Sequence, residues 1–168
     1  LKKYRTKLNF GVIMDYKAPP PMTKEEIYEF IKEMKIARLC SLNKNSTIHS
    51  VPVWYFLEGD NIIIFSPENC QKSVNMKRNN NVTVMIDNQE QQTKGVIVYG
   101  EAEIGSEGTD EEALTLFRRY FDEDTAQKVL VNSKKLTKWI KHTIKPTKFA
   151  SFDYHKDTVY RETMFGES

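Results

Sequence analysis

Apolar positions recur at helical spacing near residue 23 and then change to strand-like alternation. Thr23 and Glu26 have the spacing of a capping box, which marks a helix start. The apolar residues that follow at positions i, i+3, i+4 and i+7 of an amphipathic helix are Ile27, Phe30, Ile31 and Met34. From residue 37 the pattern alternates in short segments bounded by turn-forming residues, which predicts strands over 37–42, 47–57, 61–66, 82–87 and 95–104.

The connections between these strands indicate a small barrel. Residues 43–46 and 58–60 are short enough for hairpin loops, and the second contains Gly59 and Asp60, which such loops favour. The polar segment 71–79, between the third and fourth strands, suits one short helix. Closely spaced strands interrupted by one helix are typical of a barrel, which also removes exposed sheet edges.

Helical spacing returns after residue 108. Thr109 and Glu112 repeat the capping box, and the apolar face that follows predicts a helix over 109–121. We expect a second helical stretch within 125–142, and the alternation over 148–154 predicts a last strand that closes the barrel. The predicted fold class is therefore mainly β, a barrel of six or more strands with flanking helices.

The chain is predicted to hold one folded domain between two flanking segments. Residues 1–22 are basic and mixed and end in three prolines, which are incompatible with a helix and favour an extended, poorly packed arm. The folded domain is expected over residues 23–158, and residues 159–168 form a C-terminal tail.

Charge and composition exclude several classes of partner. Lysine and arginine total 25 against 23 acidic residues, a net charge of +2 that does not mark a nucleic-acid or anionic-membrane binder. No apolar stretch approaches the roughly 18 residues of a membrane span, so we expect a cytoplasmic protein with no membrane partner. In that compartment Cys40 and Cys70 are expected to be free thiols. His49, His142 and His155 lack metal-site spacing, so no metal site is predicted.

A phosphate site is suggested where a strand end runs into a helix, over residues 65–73. Backbone N–H groups at a helix start are unpaired and lie at the positive end of the helix dipole. Lys72 with the hydroxyls of Ser66 and Ser73 would complete an anion site there. The alternative is that Asn69 or Ser73 merely caps the helix and that Lys72 is a solvated surface charge.

An apolar wall for a ring compound is suggested by residues 50–54. Pro52 removes one ladder donor, which is typical of an edge strand or a bulge where the neighbouring backbone can meet a ligand. The alternative is an ordinary edge strand whose valines belong to the core.

Taken together, residues 50–87 and 94–104 resemble the FMN-binding split barrels related to pyridoxamine 5'-phosphate oxidase. The shared features are a proline in the second strand, an acidic-glycine hairpin, an aromatic-hydroxyl pair at a strand end, a lysine that opens a helix and a glycine before an acidic-alanine-acidic run. In this sequence they are Pro52, Gly59, Phe65 with Ser66, Lys72 and Gly100.

The resemblance implies FMN as the cofactor, with a deazaflavin as the alternative, held in a homodimer with shared cofactor sites. Phe65 and Ser66 would lie along the ribityl-phosphate chain, and Lys72, next to Gln71 and Ser73, would hold the phosphate. Lys94 would approach from the partner subunit. The residues that would flank the flavin ring are Ser50, Val51, Pro52 and Val53.

Departures from the family pattern separate this chain from the oxidases themselves. Gln71 stands where many relatives place a second basic residue, and Gly95 stands where the oxidases tend to carry a glutamine. The C-terminal Arg-x-His-x-Arg signature that grips the substrate phosphate is absent. Two classes therefore stay open, namely an FMN-dependent oxidoreductase acting on a small molecule or a nicotinamide, and a non-catalytic protein that binds or stores a flavin, a deazaflavin or haem.

Overall fold

Seven strands and five α-helices make up the part of the chain that the computed structural model describes, residues 18–90 and 93–166. The helices are α1 (Lys24–Glu33), α2 (Gln71–Arg78), α3 (Asp110–Phe117), α4 (Glu123–Ser133) and α5 (Thr158–Phe165). The strands are β1 (Ile36–Leu42), β2 (Ile48–Trp54), β3 (Phe56–Glu58), β4 (Asn61–Pro67), β5 (Asn81–Asp87), β6 (Lys94–Glu107) and β7 (Trp139–Asp153).

Both predicted capping boxes are present. The carboxylate of Glu26 accepts a hydrogen bond from the Thr23 N–H at 2.7 Å, and the Thr23 hydroxyl oxygen accepts one from the Glu26 N–H at 3.3 Å. Thr109 and Glu112 make the same pair of bonds at the start of α3. The predicted starts of these two helices are therefore confirmed.

The strands form one antiparallel sheet that curls into a barrel. Their order is β2-β1-β5-β6-β7-β4-β3, and β2 also contacts β4 across the open side. The long strands β6 and β7 shift register next to Gly100, where a Cβ atom would lie only 2.7 Å from the Lys145 carbonyl oxygen. Glycine permits this approach, and the shift bends both strands around the core. The predicted fold class, mainly β with six or more strands, is confirmed.

The segment predicted as one strand over 47–57 is divided in two at Tyr55. The Tyr55 N–H donates to the hydroxyl oxygen of Tyr120 at 3.0 Å, and the Tyr55 hydroxyl donates to the Ile31 carbonyl oxygen at 2.6 Å. Burial raises the pKa of Tyr55. Tyr55 therefore turns the chain from β2 into β3 while it ties the end of α1 to the barrel.

Three hydrophobic clusters stabilise the described part of the molecule. The largest fills the barrel and includes α1. The second joins α3 to the outer face of the barrel through Leu116, which packs with Phe56 and Ile63. The third lies between α3 and α4 and consists of Leu114, Ala126 and Leu130. The α3–α4 pair thus has a small core of its own, outside the barrel.

The helix expected within 125–142 ends earlier than its spacing suggests. Helix α4 stops at Ser133, and Trp139 already belongs to β7. In β7 the side chains of Ile140, His142 and Ile144 alternate inward and are buried. Burial at every second residue is the strand period, and the polar His142 inside the barrel hides that period in the sequence.

The ends of the described chain are more ordered than expected. Met22 is buried and its N–H donates to Ser151 Oγ at 2.9 Å, so the expectation of a poorly packed arm is wrong at this residue. Residues 1–17 of the predicted arm lie outside the described residues. Helix α5 occupies most of the predicted tail. None of the helices within 18–90 and 93–166 is long and apolar enough to cross a membrane.

Candidate functional site

A cavity of about 740 Å³ lies between the outer face of the barrel and the α3–α4 pair. This volume is within the range of small-molecule sites, about 300–1,000 Å³. Four of the predicted cofactor residues line the cavity, namely Pro52, Val53, Phe65 and Lys72. The opposite wall comes from α3, α4 and the segment that leads into β7. The structure therefore brings part of the predicted site together at one cavity.

Strand β2 forms one wall of this cavity. It lies at the end of the strand order, so the prediction that Pro52 marks an edge strand is confirmed. Pro52 and Trp54 are exposed on its outer side, whereas Val53 is buried. The Trp54 ring stacks on the Tyr120 ring with centroids 4.5 Å apart. The edge strand thus offers an apolar surface to the cavity, and the stacking of Tyr120 on Trp54 holds that surface in place.

The α3–α4 pair is seated on the barrel by a close glycine contact and an ion-pair network. A Cβ atom at Gly108 would lie 2.1 Å from Phe65 Cε1, so a glycine lets the chain pass the ring as β6 leads into α3. Lys141 Nζ donates to Glu112 Oε1 at 2.7 Å and to Glu58 Oε2 at 3.1 Å. The Lys141 ammonium lowers the pKa of Glu112, and Glu112 raises the pKa of Lys141.

The turn from β4 into α2 supplies the charged end of the cavity. Cys70 is the N-cap of α2 and makes no side-chain capping bond within the described chain, so neither Asn69 nor Ser73 is the cap. The loop carboxylate Glu68 is turned to Lys77, 3.3 Å away. Lys72 lines the cavity and has no ion-pair partner among the described residues. An unpaired ammonium beside uncapped N–H groups is an arrangement that suits an anion.

Ser66, Ser73 and His142 form a buried cluster beneath this turn. Ser66 Oγ lies 2.7 Å from His142 Nε2 and 2.9 Å from Ser73 Oγ, and all three side chains are fully buried. Burial, together with the charges of Lys72 and Lys77, lowers the pKa of His142 to about 4. The two hydroxyls predicted to meet a phosphate therefore turn into the barrel and bond a neutral imidazole. What this turn presents to the cavity is Lys72.

Cys70 lies at the edge of the same cluster. Its Sγ atom is 3.3 Å from Ser73 Oγ. Burial raises the pKa of the thiol, but bonds with Ser73 and Ser66 and the charge of Lys72 outweigh it and hold that pKa below its ordinary value. Both Cys70 and Cys40 are free, as expected.

The other predicted residues lie away from the cavity lining of this chain. Gln71 turns to Asn75, with its Nε2 2.9 Å from the Asn75 Oδ1 atom. Lys94 Nζ lies 5.2 Å from the centroid of the Phe30 ring. Ser50 and Val51 belong to β2 but lie before the part of it that lines the cavity.

Sequence reasoning missed the wall that α3 and α4 provide, and it missed His142. The apolar spacing of both helices is that of ordinary packing helices, so nothing in it indicated a cavity. His142 could have been found from the strand-like alternation of Ile140 and Ile144 on either side of it. No cluster of three or more potential metal-ligating side chains occurs in the described ranges.

A family model described as pyridoxamine 5'-phosphate oxidase matches residues 23–145. No curated protein matches the chain.

Solved structures share the fold. The conserved hypothetical protein Rv2991 from Mycobacterium tuberculosis has a TM-score of 0.71 at 20% identity, over 83% of this chain and 90% of that one. An FAD-binding protein from Mesorhizobium loti has a TM-score of 0.56 at 19% identity, over 79% and 93%. An F420 reductase has a TM-score of 0.60 at 19% identity, over 76% and 98%. At these identities the likeness is one of fold.

Proposed function

Because the chain belongs to the pyridoxamine 5'-phosphate oxidase family, we propose that it binds FMN in the cavity beside α2 and acts as an oxidoreductase on a small molecule. The observation that carries the proposal is Lys72, which lies at the N-terminus of α2 on the wall of a cavity of small-molecule size and has no ion-pair partner among the described residues. The FAD-binding protein and the F420 reductase of the same fold support a flavin-type cofactor.

The residues of the cavity fit the two parts of FMN. Lys72 and the first N–H groups of α2 would hold the phosphate, because charge-assisted bonds to phosphate are the strong ones. Pro52 and Trp54 would border the ring and exclude water from it, and Phe65 would lie along the ribityl chain. When bound, FMN supplies hydride transfer between a reduced nicotinamide and an acceptor, so the protein needs to provide position and electrostatics more than a catalytic acid.

Haem fits the cavity less well than a flavin. Protein ligands to haem iron are histidine, cysteine, methionine or tyrosine. None of these four residue types is among the described residues that line the cavity. A deazaflavin would use the same phosphate end and stays the alternative cofactor.

The substrate differs from pyridoxamine 5'-phosphate in this proposal. A substrate phosphate taken out of water needs its own paired cations. Two of the basic residues after β7 are engaged elsewhere, since Lys156 Nζ bonds Glu26 at 2.6 Å and His155 Nε2 lies 3.2 Å from Glu90. Gly95 cannot supply a contact either, because the Phe152 ring occupies the place of a side chain there, 2.7 Å from a built Cβ atom.

The experiment that tests the proposal is reconstitution followed by reduction. We expect the purified protein to retain the absorption bands of added FMN through gel filtration and to lose them when NADPH or NADH is added without oxygen. Pyridoxamine 5'-phosphate should give hydrogen peroxide only at the background rate. Absence of retained flavin would contradict the cofactor, retained flavin that no nicotinamide bleaches would favour a storage protein, and peroxide coupled to pyridoxal phosphate would contradict the substrate.

We also propose a homodimer in which each cofactor site is shared. The cavity lining includes the exposed apolar side chains of Ile36, Trp54 and Leu136, and a partner subunit could cover them. Lys94 does not line the cavity of its own chain, which is consistent with a role at the cofactor site of the partner subunit. Light scattering should return twice the chain mass of 19.6 kDa. A monomer at micromolar concentration would contradict both the dimer and the shared site.

A further inference from the structure

The end of the cavity formed by α3 and α4 has a different chemistry, and we name it the apolar compartment. Its walls are the inner faces of α3 and α4 and the segment after α4. The side chains that form it are Ala113, Leu116, Phe117, Val129, Leu130 and Leu136. A ligand here would be surrounded mainly by aliphatic and aromatic groups.

The polar side chains in this wall already have partners within the wall. The Ser133 hydroxyl donates to the Leu130 carbonyl oxygen at 2.9 Å, and Trp139 Nε1 donates to the Ser133 carbonyl oxygen at 3.0 Å. The Thr137 hydroxyl donates to the Lys138 carbonyl oxygen at 3.3 Å. A polar ligand would therefore lose its bonds to water and gain few in return, which is unfavourable.

Two charged side chains of the cavity wall neutralise each other, whereas the carboxylate of Glu107 has no ion-pair partner among the described residues. Lys134 Nζ lies 2.6 Å from Asp110 Oδ2. The Thr109 hydroxyl donates to the Glu112 carboxylate at 3.0 Å, and that carboxylate also pairs with Lys141. The cation left without a carboxylate partner among the described lining residues is Lys72, on α2.

We propose that the apolar compartment binds an uncharged, largely apolar ring compound, which is reduced by the electrons that the cofactor takes from a reduced nicotinamide. The inference deepens the proposed function and rests on it for the electron exchange, since a flavin held at Lys72 needs a reaction partner in the same cavity. Binding of the ring compound itself depends only on the walls described above. It can therefore be measured without flavin.

Tryptophan fluorescence gives a direct readout, because both tryptophans of the chain, Trp54 and Trp139, line the cavity. The full-length protein without flavin is titrated with 1-nitronaphthalene, an uncharged quencher with two fused rings. Leu136→Asp places a charge on the compartment wall at an exposed side chain, so the fold should be kept. Val131→Asp is the matched control, since Val131 is also exposed, at 57%, and does not line the cavity.

We expect Leu136→Asp to weaken binding of 1-nitronaphthalene roughly tenfold, through lost apolar contact and a charge next to the ring. Val131→Asp should leave the dissociation constant within about twofold, as surface substitutions usually do. In Lys72→Ala protein, where that ammonium cannot hold an anion, 5-nitronaphthalene-1-sulfonate should bind at least about tenfold more weakly than 1-nitronaphthalene.

Three results would overturn the proposal. They are equal affinities in the wild-type and Leu136→Asp proteins, equal affinities for the two probes in Lys72→Ala protein, and no quenching at all, which would mean that side chains of a second copy fill the compartment. A parallel FMN titration keeps the two ideas apart. Probe binding without FMN binding would contradict the proposed flavin site and support the proposed ligand of the compartment. FMN binding without probe binding would support the flavin site and contradict the proposed ligand.

Discussion

The two ends of the cavity are built from the chain in opposite ways. The α2 end comes from one contiguous segment, residues 65–73, whose buried serines bond the distant residue His142. The apolar compartment is assembled from two helices and a connecting segment, residues 107–139, none of which carries a distinctive motif. A charged end made by one turn is recognisable in a sequence, whereas a compartment made by packing becomes visible only in three dimensions.

The ends also differ in what stabilises them. The α2 end depends on a buried polar cluster, in which each hydrogen bond matters because an unmet partner is costly inside a protein. The apolar compartment depends on hydrophobic contacts and on the Lys141 network with Glu112 and Glu58. The first should therefore respond to pH and to loss of a charge, and the second to substitutions that change its shape or polarity.

The largest effect is expected from protonation of His142. The unfolded chain takes up this proton near pH 6.5, the ordinary histidine value, whereas the folded protein, with its pKa lowered to about 4, takes it up later. Between these values the unfolded state binds more protons, so stability falls as pH falls. The full shift corresponds to about 3 kcal/mol of unfolding free energy lost between about pH 6.5 and 4.

Urea unfolding of wild-type and His142→Gln protein at a series of pH values measures this loss. Glutamine has no titration in this range, so the variant should show a shallower decline below pH 6.5. His155→Gln, which removes an exposed histidine, is the control and should follow the wild-type curve. Parallel curves for wild-type and His142→Gln would mean that the buried cluster does not make the α2 end sensitive to acid.

A smaller effect is expected from Lys72, and it sharpens the contrast between the ends. Lys72→Ala removes one charge-assisted contact, which should cost about 1.5–3 kcal/mol, or roughly tenfold to a hundredfold in FMN affinity. Riboflavin, which lacks the phosphate, should bind both proteins alike, and affinity for 1-nitronaphthalene should not change. Flavin fluorescence titration gives all the flavin constants.

Lys77→Ala is the matched control for this measurement. Lys77 lies on the same helix but pairs with Glu68, outside the cavity lining. Its removal should leave the preference for FMN over riboflavin intact. If Lys72→Ala keeps that preference too, the phosphate is held elsewhere.

Much of the fold and the charged end of the site could be predicted from the sequence. The capping boxes, the Gly59 hairpin and the proline of the edge strand are local signals, and the structure contains each of them. Local reasoning made Lys72 a candidate phosphate ligand and the family resemblance assigned it that role, and the structure places Lys72 on the cavity wall.

The rest could not be predicted because it depends on contacts between distant residues. Nothing near Ser66 or Ser73 indicates that their hydroxyls form hydrogen bonds with a histidine about seventy positions later in the chain. The spacing of Leu136, Trp139 and Ile140 is that of a helix. In the structure Trp139 and Ile140 belong to a strand instead, because they pair with β4 and β6. A local pattern indicates a preference for helix or strand, and pairing with neighbouring strands can override that preference.

The separate small core between α3 and α4 has a consequence for how proteins of this fold diversify. Because Leu114, Ala126 and Leu130 pack with one another outside the barrel core, substitutions in the helix pair can reshape the compartment with little disturbance of the barrel. The barrel and its α2 turn can then be inherited unchanged while the helices vary from lineage to lineage. Divergence of ligand choice is expected to accumulate in residues 107–139, and comparison of related sequences would show it as faster change there than in β4 and α2.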